Sequence, residues 1–185
     1  MGLRHGFKAE ANRIALRVRD SLGLSATDAI DPVVVCEHFD IDLIALSSLE
    51  CKGARVLGVD GSCFSAVTVP RGVRTAIVHN DFHHPHRRRS NICHELAHCF
   101  LGHEGAPPLT GDGSRSRDPA QEEEAHFLGG ALLITNEAAL HIITEGLTPY
   151  AGTLYGVSQA MLDYRLRVSG AHTIHGRRVS AGRAV

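Results

Sequence analysis

The segment from His94 to His98, which reads H-E-L-A-H, constrains the fold more than any other part of the chain. Its two histidines stand four residues apart, so an α-helix places both imidazoles on one face, one turn apart. Gly102 is a helix terminator, and the pattern predicts a helix over residues 90–101. Two neutral imidazoles in this arrangement suit one Zn²⁺ ion, which in catalytic sites takes three protein ligands and a water. The chain must therefore bring a third ligand to this helix from another element.

Glu95 directly follows the first histidine. At this position its carboxylate reaches a water at the metal rather than the metal itself, which predicts a general base for hydrolysis. Several side chains are candidates for a second group that stabilises a developing oxyanion: Tyr150, Tyr155, His103 and the histidines of residues 79–86. The sequence does not choose among them.

The third metal ligand is also left open by spacing alone. A pattern with a histidine six residues after His98 fails, because that position holds Glu104. A carboxylate from a second helix is the other source, and three consecutive glutamates, Glu122, Glu123 and Glu124, stand near the start of one. Helical periodicity does not distinguish these three, and acidic residues near a helix N-terminus also complement its dipole.

Helical and strand-like patterns occur in separate parts of the chain, which is typical of the α+β class. Apolar periodicity and capping residues predict helices over residues 7–22, 32–39, 90–101, 118–133, 137–144 and 158–168. Short runs rich in β-branched residues predict strands over residues 41–46, 56–59, 63–69 and 73–78. Gly129 and Gly130 predict that the helix carrying the glutamates approaches another backbone closely.

The composition limits which partners the protein is expected to bind and where in the cell it is expected to be. The formal net charge is −1 with 21% charged residues, which favours neither nucleic acid nor a membrane as the main partner. No apolar run has the length of a membrane span or of a signal peptide, and no feature predicts an oligomeric state. The five cysteines form no C-x-x-C pair, so we expect buried thiols in a reducing, cytoplasmic location. They are Cys36, Cys51, Cys63, Cys93 and Cys99.

Several blocks of the chain together resemble the ImmA/IrrE family of zinc metallopeptidases. A strand ending at Asn80 leads through an arginine-rich loop, residues 87–89, to the H-E-L-A-H segment and then to L-G-H at residues 101–103. The family's second signature is similar to E-E-E-A-H-F-L at residues 122–128 and L-L-I-T at residues 132–135. The resemblance spans roughly residues 6–170.

The resemblance implies a zincin-like fold and a site made of His94, His98 and Glu122 around Zn²⁺, with Glu95 as catalytic base. The alanine register of the second signature selects Glu122. His126 stands where the family has asparagine, so it is either a side chain that supports the metal ligands or simply a partly buried helix histidine. A threonine replaces the family's proline at position 135.

The resemblance also implies a substrate, which is a helix-turn-helix transcriptional repressor cleaved in stress response or mobile-element regulation. The strand of residues 75–78 would bind an extended peptide by β-augmentation. We expect a zincin-like metallopeptidase domain over residues 1–145, a helix-turn-helix-like segment over residues 146–172, and a disordered basic tail over residues 173–185.

An alternative reading is a DNA-binding or protein-docking regulator in which zinc is structural and peptidase activity is absent. The arginines of residues 87–89 and the basic C-terminal end, which includes Arg165, are the features behind it. Glu95 favours the peptidase, because a structural site has no need of a base beside its ligand. The histidine-rich loop of residues 79–86 could hold a second metal, but a loop containing proline is poorly preorganised for one.

Overall fold

The structure is a computed structural model that describes residues 2–50, 64–72, 74–103 and 118–182. Within these ranges it contains eight α-helices and a three-stranded mixed sheet, which confirms the predicted α+β class. The strands are β1 (Ile41–Ala45), β2 (Ala66–Arg71) and β3 (Arg74–His79). The helices are α1 (Phe7–Ser21), α2 (Pro32–His38), α3 (Pro85–Leu101), α4 (Pro119–Leu133), α5 (Asn136–Thr144), α6 (Thr148–Tyr155), α7 (Gln159–Val168) and α8 (Ala171–Gly182).

The sheet has the strand order β1-β3-β2. β1 pairs in parallel with β3, with Ile41 opposite Thr75, and β2 pairs antiparallel to β3, with Thr68 opposite Ile77. The proposed docking of a peptide on residues 75–78 is therefore wrong, because β3 has a neighbour on both sides and offers no edge. Within the described residues the edges belong to β1 and β2, and the predicted strand of residues 56–59 lies outside them.

Capping residues begin several helices where the sequence predicts them. The Asp31 side chain accepts a hydrogen bond from the Val33 amide at the start of α2, and Asp118 does the same for the Ala120 amide at the start of α4. Thr135, in place of the family's proline, caps α5 through the Ala138 amide. α3 begins five residues earlier than predicted, because Pro85 occupies its first turn and the His84 ring accepts from the His86 amide.

α4 is the central helix, and α1, α3 and α7 pack around it. Its residues from Phe127 to Leu133 are all buried, which requires neighbours on every side. A Cβ atom added to Gly129 would lie 3.1 Å from the backbone carbonyl of Cys93 and from the Cα atom of His94. The close backbone approach predicted for this helix is thus observed at Gly129, directly behind the first histidine of the H-E-L-A-H segment.

Replacing Gly129 by valine is expected to lower the free energy of unfolding by about 1–3 kcal/mol, since the backbone of α3 cannot yield to the added side chain. Urea denaturation monitored by circular dichroism measures this change. Gly176→Val is the matched control, because nothing lies within 4 Å of a Cβ at that helical glycine. Equal stability losses in the two variants would contradict the close-contact explanation.

Two fully buried arginines hold the C-terminal end of α4. Arg19 donates from Nη2 to the carbonyl of Leu132 at 2.9 Å, and Arg165 donates from Nε to the carbonyl of Ile134 at 2.8 Å. Burial lowers the pKa of Arg165 to about 10. Arg165 is one of the basic residues behind the DNA-binding alternative, but its side chain lies inside the protein and is not available at the surface.

The C-terminal part departs most from expectation. Residues 173–182, predicted to be disordered, belong to α8, while residues 183–185 lie outside the described ranges. α8 packs against α5 and α7, with Ala171 buried at its start, so tertiary contacts stabilise a segment whose own composition is a weak helix former. α6 was not predicted either. Its turn into α7 uses Gly156 at φ 62° and Ser158 as the cap. The proposed domain boundary between residues 145 and 146 stays a prediction.

Among the described residues, no single helix has both the length and the apolarity needed to cross a membrane. Only α4 and α5 taken together, with a bend of 49° between them, pass that test.

Candidate metal centre

Two helices bring the predicted metal ligands together. α3 presents His94 and His98 one turn apart, and their Nε2 atoms are 3.1 Å from each other. The first turn of α4 presents Glu122, whose Oε2 lies 3.3 Å from Nε2 of His94 and whose Oε1 lies 3.4 Å from Nε2 of His98. Each carboxylate oxygen of Glu122 thus faces a different histidine, and one potential donor atom from each of the three residues lies within 4.8 Å of the other two.

The separations of 3.1–3.4 Å are close to those between neighbouring ligand atoms of a tetrahedral zinc site. Ligand bonds of about 2.0–2.1 Å at tetrahedral angles separate neighbouring donor atoms by about 3.3 Å. The three side chains are 18–28% exposed, so one side of the cluster faces solvent. Two imidazoles and one carboxylate form the donor set of a catalytic rather than a structural zinc site. The residues fit the ion, and their assignment as its ligands stays a prediction.

Among the residues that the structure describes, His94, His98 and Glu122 are the one group of three histidine, cysteine or acidic side chains close enough to share an ion. The histidine-rich loop forms no such group there. His83 instead lies beside the Asn91 amide, with Nδ1 at 3.2 Å from Nδ2, and His84 and His86 stack edge to face.

His98 lies in an environment that favours its neutral form. Burial lowers the pKa of His98, and the neighbouring His94 lowers it further. A neutral imidazole is the form that binds a metal ion, so less competition from protons is expected at this ligand.

The candidate base, Glu95, is buried with 6% of its surface exposed. Its Oε2 accepts a hydrogen bond of 2.7 Å from the hydroxyl of Thr68, which lies in the middle of β2. This contact from β2 orients the carboxylate of the candidate base. Thr68 could not be identified from the sequence, because a single threonine in a strand carries no signal until the packing of the sheet against α3 is known.

The glutamates that spacing could not separate have different surroundings. Glu122 faces the two histidines of α3, whereas Glu124 lies 3.5 Å from Nε2 of His103 and accepts from Arg4 at 2.8 Å. The helix therefore points neighbouring carboxylates in different directions, and Glu122 is the one directed at the candidate metal position.

The tyrosines and His103, which were considered as oxyanion donors, have different surroundings in the structure. The Tyr155 hydroxyl donates to the carbonyl of Thr27 at 2.8 Å inside the core, and Tyr150 is 70% exposed on α6. His103 contacts Nδ1 of His98, on the side of that ring opposite the candidate metal position. His126 stacks on Tyr164 with ring centroids 5.0 Å apart.

Comparison with known proteins agrees with this geometry. The model of the Peptidase_M78 family, described as the IrrE N-terminal-like domain, matches residues 36–167, which is most of the chain and includes all three candidate ligands and Glu95. No curated protein matches the chain. Peptidases of this family depend on zinc, and the mixed α+β architecture is the one expected of them. The chain therefore belongs to the IrrE N-terminal-like family of metallopeptidases.

Proposed function

We propose that this protein is a zinc endopeptidase that cleaves a helix-turn-helix transcriptional repressor in the cytoplasm, as part of stress response or mobile-element control. The observation that carries the peptidase assignment is the buried, oriented carboxylate of Glu95 beside the cluster of His94, His98 and Glu122, which are close enough to share one ion. The free thiols of Cys36, Cys93 and Cys99 agree with a reducing compartment.

Each side chain has a defined task in this proposal. Two neutral imidazoles and one carboxylate would hold Zn²⁺ with a net charge near +1, and the ion would supply Lewis acidity that activates water and polarises a peptide carbonyl. Glu95 accepts the proton of the attacking water, keeps it within the cleft, and delivers it to the leaving amine. Thr68 holds the carboxylate in the orientation that both transfers need.

β2 is the strand best placed to bind the substrate. Among the described residues it forms an edge of the sheet, and it carries Thr68 next to the catalytic base. An extended peptide added to β2 would use backbone hydrogen bonds for affinity and would lie beside Glu95. Cleavage is therefore expected within an extended or locally unfolded segment of the repressor.

Replacing Thr68 by valine is expected to lower kcat about tenfold, because the isosteric side chain removes one hydrogen bond to the base. Zinc stoichiometry and the melting temperature should stay unchanged, since Thr68 does not contact the ligands. Steady-state cleavage kinetics measure the effect, and Thr68→Ser is the control that restores the hydroxyl. A valine variant with full activity would remove Thr68 from the mechanism.

The function is tested by mixing the purified zinc-loaded protein with the helix-turn-helix repressor encoded beside its gene, then mapping products by mass spectrometry. Cleavage at one site, lost with a chelator and in a Glu95→Gln variant, is the expected result. An intact repressor would overturn the substrate assignment. Salt-dependent DNA binding that survives chelation would instead favour the DNA-binding alternative. The burial of Arg165 and the contacts of Arg89 with Ile30 and Asp31 argue against that alternative.

A further inference from the structure

We propose that His103, Glu124 and Arg4 form a positioning relay behind the metal ligand His98, and that the N-terminal segment thereby contributes to metal affinity. The inference rests on the metal centre of the proposed function, but not on peptidase activity or on the identity of the substrate. Arg4 and α1 lie outside residues 36–167, so the family match does not contain this end of the relay.

Three consecutive contacts build the relay. Nδ1 of His98 lies 2.9 Å from Nδ1 of His103, and Nε2 of His103 lies 3.5 Å from Oε2 of Glu124. Oε1 of Glu124 then accepts a hydrogen bond of 2.8 Å from Nε of Arg4. The side chains of His103 and Glu124 are only 8% and 16% exposed, so the first two contacts are shielded from bulk water.

Metal binding assigns every donor and acceptor along this path. When Nε2 of His98 binds the ion, its Nδ1 must carry the remaining ring proton and therefore donates to His103. Nδ1 of His103 accepts, so Nε2 of His103 carries the proton that points to Glu124. Glu124 stays an acceptor for both His103 and the Arg4 cation. A ligand imidazole held in this way has a fixed orientation and is a better electron donor to the metal.

Packing of α1 on α4 holds the far end of the relay in place. The Arg4 guanidinium also pairs with Glu10 at 2.8 Å and lies 4.9 Å from the ring centroid of Phe7. Phe7 is fully buried and meets Phe127 of α4 edge to face, with centroids 6.1 Å apart. The N-terminal helix is thus attached to the glutamate-bearing helix next to Glu124.

The inner part of the relay is tested by zinc affinity, measured in competition with a chromophoric chelator and without any peptide. His103→Ala is expected to weaken zinc binding about 10- to 100-fold, the range typical of lost contacts behind a metal ligand. His103→Asn should recover part of this loss, because its side-chain oxygen can accept from Nδ1 of His98. Equal affinities of the alanine and asparagine variants, or no loss in either, would overturn the inference.

The outer part is tested by Glu124→Gln and Arg4→Met, for which we expect several-fold weaker zinc binding, with Glu123→Gln as the matched control. The Arg4 side chain is 52% exposed, so its replacement leaves the fold intact. If Arg4 acts through Glu124, the double variant binds zinc no more weakly than Glu124→Gln alone. A shift of the visible absorption bands of Co²⁺-loaded protein in Arg4→Met reports the changed ligand field. Wild-type affinity and spectrum in Arg4→Met would exclude the N-terminal contribution, whether or not the repressor is cleaved.

Discussion

Replacing Glu95 by glutamine is expected to lower kcat by about 10²–10⁴-fold, the contribution typical of a general base, while the protein still binds one zinc ion. The amide is nearly isosteric, and its oxygen can still accept the hydrogen bond from Thr68, so the cleft keeps its shape. What the variant loses is the ability to take a proton from the attacking water. Single-turnover cleavage of the repressor and metal analysis by mass spectrometry measure the two quantities.

Two further variants separate a catalytic effect from a general one. Glu145→Gln changes an exposed glutamate at the end of α5 and should cleave at the wild-type rate. Glu95→Asp keeps a carboxylate but withdraws it by one methylene, so an intermediate rate is expected. Full turnover by Glu95→Gln would show that another group accepts the proton.

Replacing Glu122 by alanine is expected to weaken zinc binding by more than about 100-fold, beyond the range typical of changes behind the ligands. The variant loses one of the three candidate ligands. Only the two histidines remain, with Nε2 atoms 3.1 Å apart, and no carboxylate is left beside them to bind the ion. Competition with a chromophoric chelator measures the affinity. Peptidase activity should fall in parallel and should recover only at high zinc concentrations.

The neighbouring glutamates provide an internal scale for this result. Glu123→Ala should leave zinc affinity unchanged, whereas Glu124→Ala should fall between the two because Glu124 contacts His103. Zinc affinity is thus expected to fall most in the Glu122 variant, less in the Glu124 variant and not at all in the Glu123 variant. The reason is that Glu122 contacts the two histidines of α3 and Glu124 contacts His103. Unchanged metal content in Glu122→Ala would move the third ligand elsewhere.

The sequence is most informative about the site where the placement of side chains depends on spacing within one helix. His94, His98 and Glu95 are related by helical geometry alone, so the H-E-L-A-H segment is sufficient to predict how they lie relative to one another. The choice of Glu122 among three consecutive glutamates depended on the family resemblance, because helical periodicity does not distinguish them. In the structure Glu122 is directed towards the two Nε2 atoms, and its role as third ligand stays a prediction.

The errors have a common cause in contacts between distant segments. The strand of residues 75–78 looked suited to bind a peptide, but β1 and β2, which flank it, come from other parts of the chain. The tail of residues 173–182 looked too polar to fold, yet α5 and α7 give it a surface to pack on. Arg165 looked like a surface charge, and only the packing of α7 on α4 shows that it binds a buried carbonyl.

By itself, the sequence determined the three strands, the helices α1 to α5 and α7, and the inner geometry of the H-E-L-A-H helix, because capping, turn chemistry and helical spacing act over four or five residues. The tertiary structure alone decided which strand forms an edge and which hydroxyl holds Glu95. It also decided that Arg4 reaches Glu124 across 120 positions of sequence. These last features depend on how whole elements pack, and packing is set by the summed contacts of the entire core rather than by any local pattern.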